Sequence, residues 1–249
     1  MQAGALFFDI RQYKGASMEA TSRWINIEGD DGPFQAYLSL PRGGKGPGIV
    51  LLQEIFGVNT HIRSVADQYA ADGYVVLAPD LFWRSGPHIE LGYEADDWNH
   101  AVGFMQAVDL GKTKSDIACT AQALRALPGV DDKIASIGYC FGGMLSYLTA
   151  IDGVVDAAVA YYGGGIQNHL AIVDRLTVPL LMHFGALDSH IPVAAVQQIA
   201  EKFDDNPNVE IHVYPHAEHG FNCAHRASYH QRAAAQAHGN TLVFLSENL

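Results

Sequence analysis

Cysteine is scarce in this chain of 249 residues: Cys119, Cys140 and Cys223 are the full set. An odd number at wide spacing does not make a disulfide framework. The natural setting is therefore a reducing cytoplasm, which would also keep a working thiol alive. Charge is sparse too, at 17% of residues, and 15 Lys and Arg against 27 Asp and Glu leave a formal charge of −12. That balance, with no dense basic cluster to overrule it, argues against nucleic-acid backbones and anionic membrane surfaces as partners. Long apolar runs are missing as well. Stretches such as Gly48–Leu52 and Tyr74–Ala78 are far too short to cross a bilayer. Residues 1–20 lack the basic segment and apolar run of a secretory signal, and Met18 offers an alternative start. With no repeat, low-complexity tract or linker, the chain reads as an N-terminal extension over residues 1–22 and one domain over 23–249.

What is abundant is apolar residue, 49% of the chain, enough for a sizeable core. It falls into short runs. Trp24–Glu28 and Phe34–Leu40 flank the turn Gly29-Asp30-Asp31-Gly32 and predict an antiparallel pair. Buried strands are predicted at Gly48–Gln53, Tyr74–Ala78, Ile134–Tyr139, Ala157–Tyr161, Pro179–Phe184 and Val209–Val213. Helices are predicted at His61–Asp72, Ser115–Leu127, Gly142–Ala150 and Val193–Phe203, with a last Ala-rich one from His225 to about His238. Strands buried on both faces and separated by helices imply a mostly parallel sheet of about eight strands covered on both sides. Such sheets gather their chemistry at the carboxyl ends of the strands.

Three of those ends carry unusual polar residues. The first is Gly138-Tyr139-Cys140-Phe141-Gly142-Gly143, where a strand runs through G-x-C-x-G-G directly into a helical pattern. This has the form of a nucleophile elbow with Cys at the apex. Glycines on either side allow the sharp turn, and the positive end of the helix favours a thiolate. A buried structural cysteine is the plainer alternative. The second is Gly185-Ala-Leu-Asp188, an acid after a strand and a Gly turn, which a helix cap or Asx-turn also explains. The third is Tyr214-Pro-His216-Ala-Glu218-His219-Gly220-Phe221. The order nucleophile, acid, base asks for a histidine here. His219 is the choice and His216 the competitor, with His190 taken as a loop residue. His212, His216 and His219 also invite a metal reading, but His212 lies inside a strand and the second shell is poor, so no metal is assigned. No cofactor is signalled.

Together these residues describe an acyl-transfer site. Asp188 would orient His219, and His219 would deprotonate Cys140. The backbone N–H groups of Phe141 and Ile55 would form the oxyanion hole. Cys119 reads as an inert core thiol, and Tyr161 and Tyr162 as pocket walls or core.

Gln53-Glu54-Ile55-Phe56-Gly57, Ala78-Pro-Asp-Leu-Phe-Trp-Arg84, Gly138-Tyr-Cys-Phe-Gly-Gly and His219-Gly-Phe, in that order, resemble the dienelactone hydrolase family of the α/β-hydrolase superfamily. The resemblance runs from about Trp24 to the C-terminus. It implies an α/β-hydrolase fold and an esterase acting on a small ester or lactone, anionic in the case of a dienelactone. It implies that Glu54 meets the resting Cys140, keeps it protonated and releases it when substrate enters. It further implies that Arg84 grips the substrate's carboxylate; Tyr162, as a pocket wall, is taken as a further substrate contact from its place after the elbow strand. The family's second arginine, four residues after the histidine, is replaced by Cys223, and Arg226 stands nearby as a candidate substitute. The alternatives are a general carboxylesterase or thioesterase of the same fold and a redox-sensing cysteine protein.

Overall fold

The computed structural model describes residues 21–249. The extension expected over residues 1–22 therefore lies outside the described residues except for Thr21 and Ser22, which open the first strand. Eight strands form one sheet: β1 Thr21–Gly29, β2 Gly32–Leu40, β3 Gly46–Leu52, β4 Val75–Pro79, β5 Val130–Tyr139, β6 Ala157–Tyr161, β7 Leu180–Gly185 and β8 Val209–Tyr214. Their spatial order is β1-β2-β4-β3-β5-β6-β7-β8. β1 and β2 pair antiparallel across the Asp30-Asp31 turn, β2 lies antiparallel on β4, and every later pairing is parallel. The central strands β4 and β6 are buried at every position, as expected where helices cover both faces.

The helices are α1 Thr60–Ala71, α2 Ala95–Ala107, α3 Leu110–Ala126, α4 Phe141–Ile151, α5 Val193–Phe203 and α6 Gln231–Asn248, with a 3₁₀ segment at Ile166–Arg175. Caps set two of the starts: Asn59 accepts from the Ile62 N–H at 3.2 Å and Asp109 from the Lys112 N–H at 3.1 Å. α3 packs across β1, β3, β4 and β5, while α6 packs on β6 and β7.

All eight predicted strands are present. One helical expectation needs correction. The last helix begins at Gln231, not His225, because residues 220–230 fold as successive turns (Cys223 N–H to Gly220 O, Arg226 N–H to Cys223 O, Tyr229 N–H to Arg226 O). His230 then caps the helix, its Nδ1 accepting from the Ala233 N–H at 3.1 Å. Helix α2 and the 3₁₀ segment are additions that the sequence reading did not contain.

Candidate active site

β5 ends in a sharp turn into α4. Cys140 sits between it and α4 with φ 56° and ψ −113°, a left-handed backbone that costs a non-glycine residue of order 1–3 kcal/mol. Two glycines make the turn possible. A Cβ on Gly138 would lie 1.8 Å from the Gly142 carbonyl oxygen, and one on Gly142 would lie 2.2 Å from the Leu52 carbonyl oxygen. Any larger residue would push β5, α4 and β3 apart. The apex is pinned by the Cys140 N–H donating to Tyr161 O at 3.0 Å and by Cys140 O accepting from the Met144 N–H at 3.2 Å. Its thiol faces a cavity of about 420 Å³, which Ile55, Phe141 and His219 also line.

β7 and β8 deliver the acid and the imidazole. Asp188 is buried, and its Oδ1 accepts from the His190 and Ile191 N–H groups at 2.8 and 3.0 Å. That leaves Oδ2 to accept from His219 Nδ1 at 2.8 Å. With Nδ1–H held by the carboxylate, Nε2 is left as the nitrogen of His219 available to another partner. Burial drives the His219 pKa down. The charge and hydrogen bond of Cys140, with those of Asp188, outweigh it and lift the group to about 10. His190 packs on His219 with ring centroids 4.9 Å apart, and burial and the neighbouring His219 hold its pKa low. His216 is exposed, and His212 faces Glu210 at 3.6 Å on β8. Neither joins the cavity.

The oxyanion candidates come from two elements. Phe141 is the first residue of α4, where backbone N–H groups have no partner within the helix. Ile55 follows β3 and lines the same cavity from the other side.

The structure does not bring the remaining expected residues to this cavity. Glu54 is fully buried behind it, accepting from the Tyr93 hydroxyl at 3.2 Å and from Arg226 Nη1 at 3.3 Å. Among the described residues it makes no hydrogen bond to Cys140. Arg84 is sequestered. It clamps Asp116 with two nitrogens, reaches Asp31 Oδ2 at 3.1 Å, and lies 4.4 Å from the Trp83 ring centroid. Its planar fork is therefore already engaged by two carboxylates. Tyr162 is buried at φ 35°, its ring centroid 5.1 Å from that of His219, so it backs the imidazole and does not line the cavity. Cys223 is buried beside Glu54, and burial first, then that carboxylate, push its thiol up to about 11.

What the sequence reading missed is the far wall. Trp98, Val102 and Met105 of α2 stand at i, i+4 and i+7 on one helix face, and Met144 joins them from α4. The lining contains no Lys, Arg, Asp or Glu. Apolar spacing was the available signal, but it went unread because the helix has little buried surface: Ala101 is its one buried residue.

Among the described residues, one group of donors suits a metal ion. Glu54, His61 and Cys223, all buried, place one ligand atom each within 4.8 Å of the others. No described helix is long and apolar enough to cross a membrane.

Comparison with known proteins agrees with this architecture. The dienelactone hydrolase family model matches residues 34–249. A carboxymethylenebutenolidase from Pseudomonas putida is 35% identical over 224 residues, covering 89% of this chain and 95% of that protein. Carboxymethylenebutenolidase 1 of Cupriavidus pinatubonensis is 31% identical over 230 residues, covering 92% and 95%. A solved structure from Klebsiella pneumoniae superposes with a TM-score of 0.80 at 29% identity, over 91% of this chain and 98% of that one. The chain belongs to the dienelactone hydrolase family and is a carboxylic ester hydrolase of the α/β-hydrolase fold.

Proposed function

We propose that this enzyme cleaves small, uncharged carboxylic esters or lactones through an acyl intermediate on Cys140, with His219 as base and Asp188 as its positioning acid. The reading is carried by one observation: Cys140, His219, Ile55 and Phe141 line a single cavity, and Asp188 holds His219 by Nδ1 at 2.8 Å. The sequence follows from the atoms. His219, which holds its proton to about pH 10, carries at Nε2 the proton given up by the thiol, and the sulfur attacks the ester carbonyl carbon. The oxygen that becomes negative is received by the N–H groups of Phe141 and Ile55. The tetrahedral adduct collapses, and the leaving alkoxide takes the proton from His219. Water, deprotonated by the same nitrogen, then cleaves the thioester and restores the thiol.

The cavity supports the uncharged substrate class. Trp98, Val102, Met105 and Met144 form an apolar wall without a fixed positive charge, while Arg84 is paired elsewhere. A carboxylate in such a place would give up its hydration without meeting a Lys or Arg, and the charge of His219 is already matched by Asp188 and Cys140. A dienelactone is thus a poorer fit than a neutral ester with a short apolar acyl group. The test is rapid-mixing hydrolysis of p-nitrophenyl butyrate, with mass spectrometry of the quenched protein. A butyryl adduct on Cys140, absent from Cys140→Ala along with turnover, is expected. Unreduced turnover in Cys140→Ala overturns the mechanism. An ester of equal size ending in a carboxylate, and dienelactone itself, are expected to react with kcat/KM at least about tenfold lower, the equivalent of 1.4 kcal/mol in the barrier. A preference for the anionic substrates overturns the substrate class and leaves the mechanism standing.

A further inference from the structure

Behind the catalytic cavity, the geometry points to a second site: a zinc-binding site formed by Glu54, His61 and Cys223. The three come from separate parts of the chain, the loop after β3, the first turn of α1 and the turns before α6. They nevertheless bring a carboxylate oxygen, an imidazole nitrogen and a thiol sulfur within 4.8 Å of one another, all buried. In tetrahedral zinc sites the bonds are about 2.0–2.3 Å, which sets the ligands roughly 3.3–3.8 Å apart. The donors thus need to draw together by no more than roughly 1.5 Å, a side-chain adjustment.

His61 supplies an independent indication. It is only 4% exposed, and its Nε2 has no hydrogen-bond partner among the described residues. A buried, unpaired polar atom usually costs of order 1–3 kcal/mol, and native interiors rarely keep one without a use. Coordination through that nitrogen would satisfy it. The site is also reachable. His61 lines two surface cavities, of about 280 and 480 Å³, through which an ion can enter and water can supply a fourth ligand. His225 lines both cavities, its ring centroid 6.1 Å from that of His61.

The donor set selects the metal. One nitrogen, one sulfur and one oxygen suit a borderline-soft ion such as Zn²⁺ and not Mg²⁺ or Ca²⁺, which prefer oxygen throughout. Binding exchanges the Cys223 thiol proton for the metal and releases it to solvent, with no change of oxidation state. Arg226 opposes the ion, since its guanidinium already donates to Glu54 at 3.3 Å. Before the divalent ion arrives Glu54 and Arg226 cancel, with Cys223 still a thiol; once binding has released the thiol proton, two anionic ligands face one cation and sum to −1. The attraction survives and Arg226 weakens it.

The experiment uses full-length protein carrying Cys140→Ser, so that the catalytic thiol cannot bind metal. Titration with Zn²⁺ followed by calorimetry in two buffers is expected to show one site and the release of about one proton. Titration with Co²⁺ is expected to give thiolate-to-cobalt absorption in the near ultraviolet. Both signals should disappear with Cys223→Ser added, fall at least tenfold in affinity with His61→Gln, and strengthen with Arg226→Gln. Circular dichroism and thermal melting confirm that each variant is folded. Absence of binding in the Cys140→Ser protein overturns the site, as does binding that persists undiminished in folded Cys223→Ser. Neither result bears on the acyl-enzyme reading.

Discussion

At the scale of single residues, the arginines decide more than the triad does. Arg84 follows the family pattern in sequence, yet its guanidinium lies between the buried carboxylate of Asp116 and the turn carboxylate of Asp31. Asp116, 1% exposed, has among the described residues one other side-chain donor, the indole N–H of Trp83 at 3.0 Å. Removing the cation strands a buried negative charge, a change that typically costs about 3–5 kcal/mol. Arg84→Gln is therefore expected to lower the unfolding free energy by about 2–4 kcal/mol, with kcat/KM for a neutral ester changed less than threefold in the folded fraction. Urea unfolding and initial rates on the same preparation test this. Full stability with a selective loss of activity toward carboxylate-bearing esters would return Arg84 to the substrate. No reading of the sequence could have separated these roles, because Asp116 lies 32 positions away and pairs only through the fold.

At the scale of elements, legibility followed burial. Ala157–Tyr161 was readable to the residue as an unbroken apolar run buried on both faces, and the helix Val193–Phe203 because an apolar face turned to the core leaves its period in the sequence. The elbow was readable for a different reason, because glycines at both flanks are demanded by backbone contact. Helix α2 was not readable. Its apolar stripe of Trp98, Val102 and Met105 is only half-buried, facing the catalytic cavity and not the core. A Glu94 cap without a side-chain hydrogen bond left its start poorly marked, in spite of the acidic residues in its first turn. The element that shapes substrate preference was thus the one the core did not advertise. Val102→Asp puts a carboxylate on this wall at little cost to packing. We expect kcat/KM for a butyryl ester to fall about tenfold or more, since burying each methylene is worth about 0.8 kcal/mol, and the acetyl ester to lose much less. The melting temperature is expected to stay within about 3 °C, as for a substitution outside the core. Equal losses for both esters would remove α2 from the acyl-binding wall.

At the scale of the whole molecule, two buried histidines bracket the pH range in which the fold is most stable. His183 on β7 is fully buried, its Nδ1 paired with the Tyr214 hydroxyl at 3.0 Å and its Nε2 with Thr241 Oγ1 at 3.1 Å, so it ties β7 to β8 and α6. Burial, and then the charge of His212, hold its pKa well below the usual 6.5. The unfolded chain therefore binds a proton that the folded one refuses, and stability must fall as pH drops through 6.5 toward the folded value. His219 behaves in the opposite way. Its pKa is raised from 6.5 to about 10, so the folded state keeps a proton that the unfolded chain has lost. That contribution is complete below 6.5 and disappears as pH climbs through 10. Urea-unfolding free energies measured from about pH 5 to pH 10.5 should accordingly trace a dome near neutrality. His219→Gln is expected to flatten its alkaline limb while leaving the acid limb in place. His183→Gln, close to the imidazole in reach but without its titration, should flatten the acid limb at some cost in overall stability. An alkaline limb unchanged in His219→Gln would mean that the folded enzyme holds His219 neutral beside a protonated Cys140. The resting site would then store its proton on sulfur until substrate arrives.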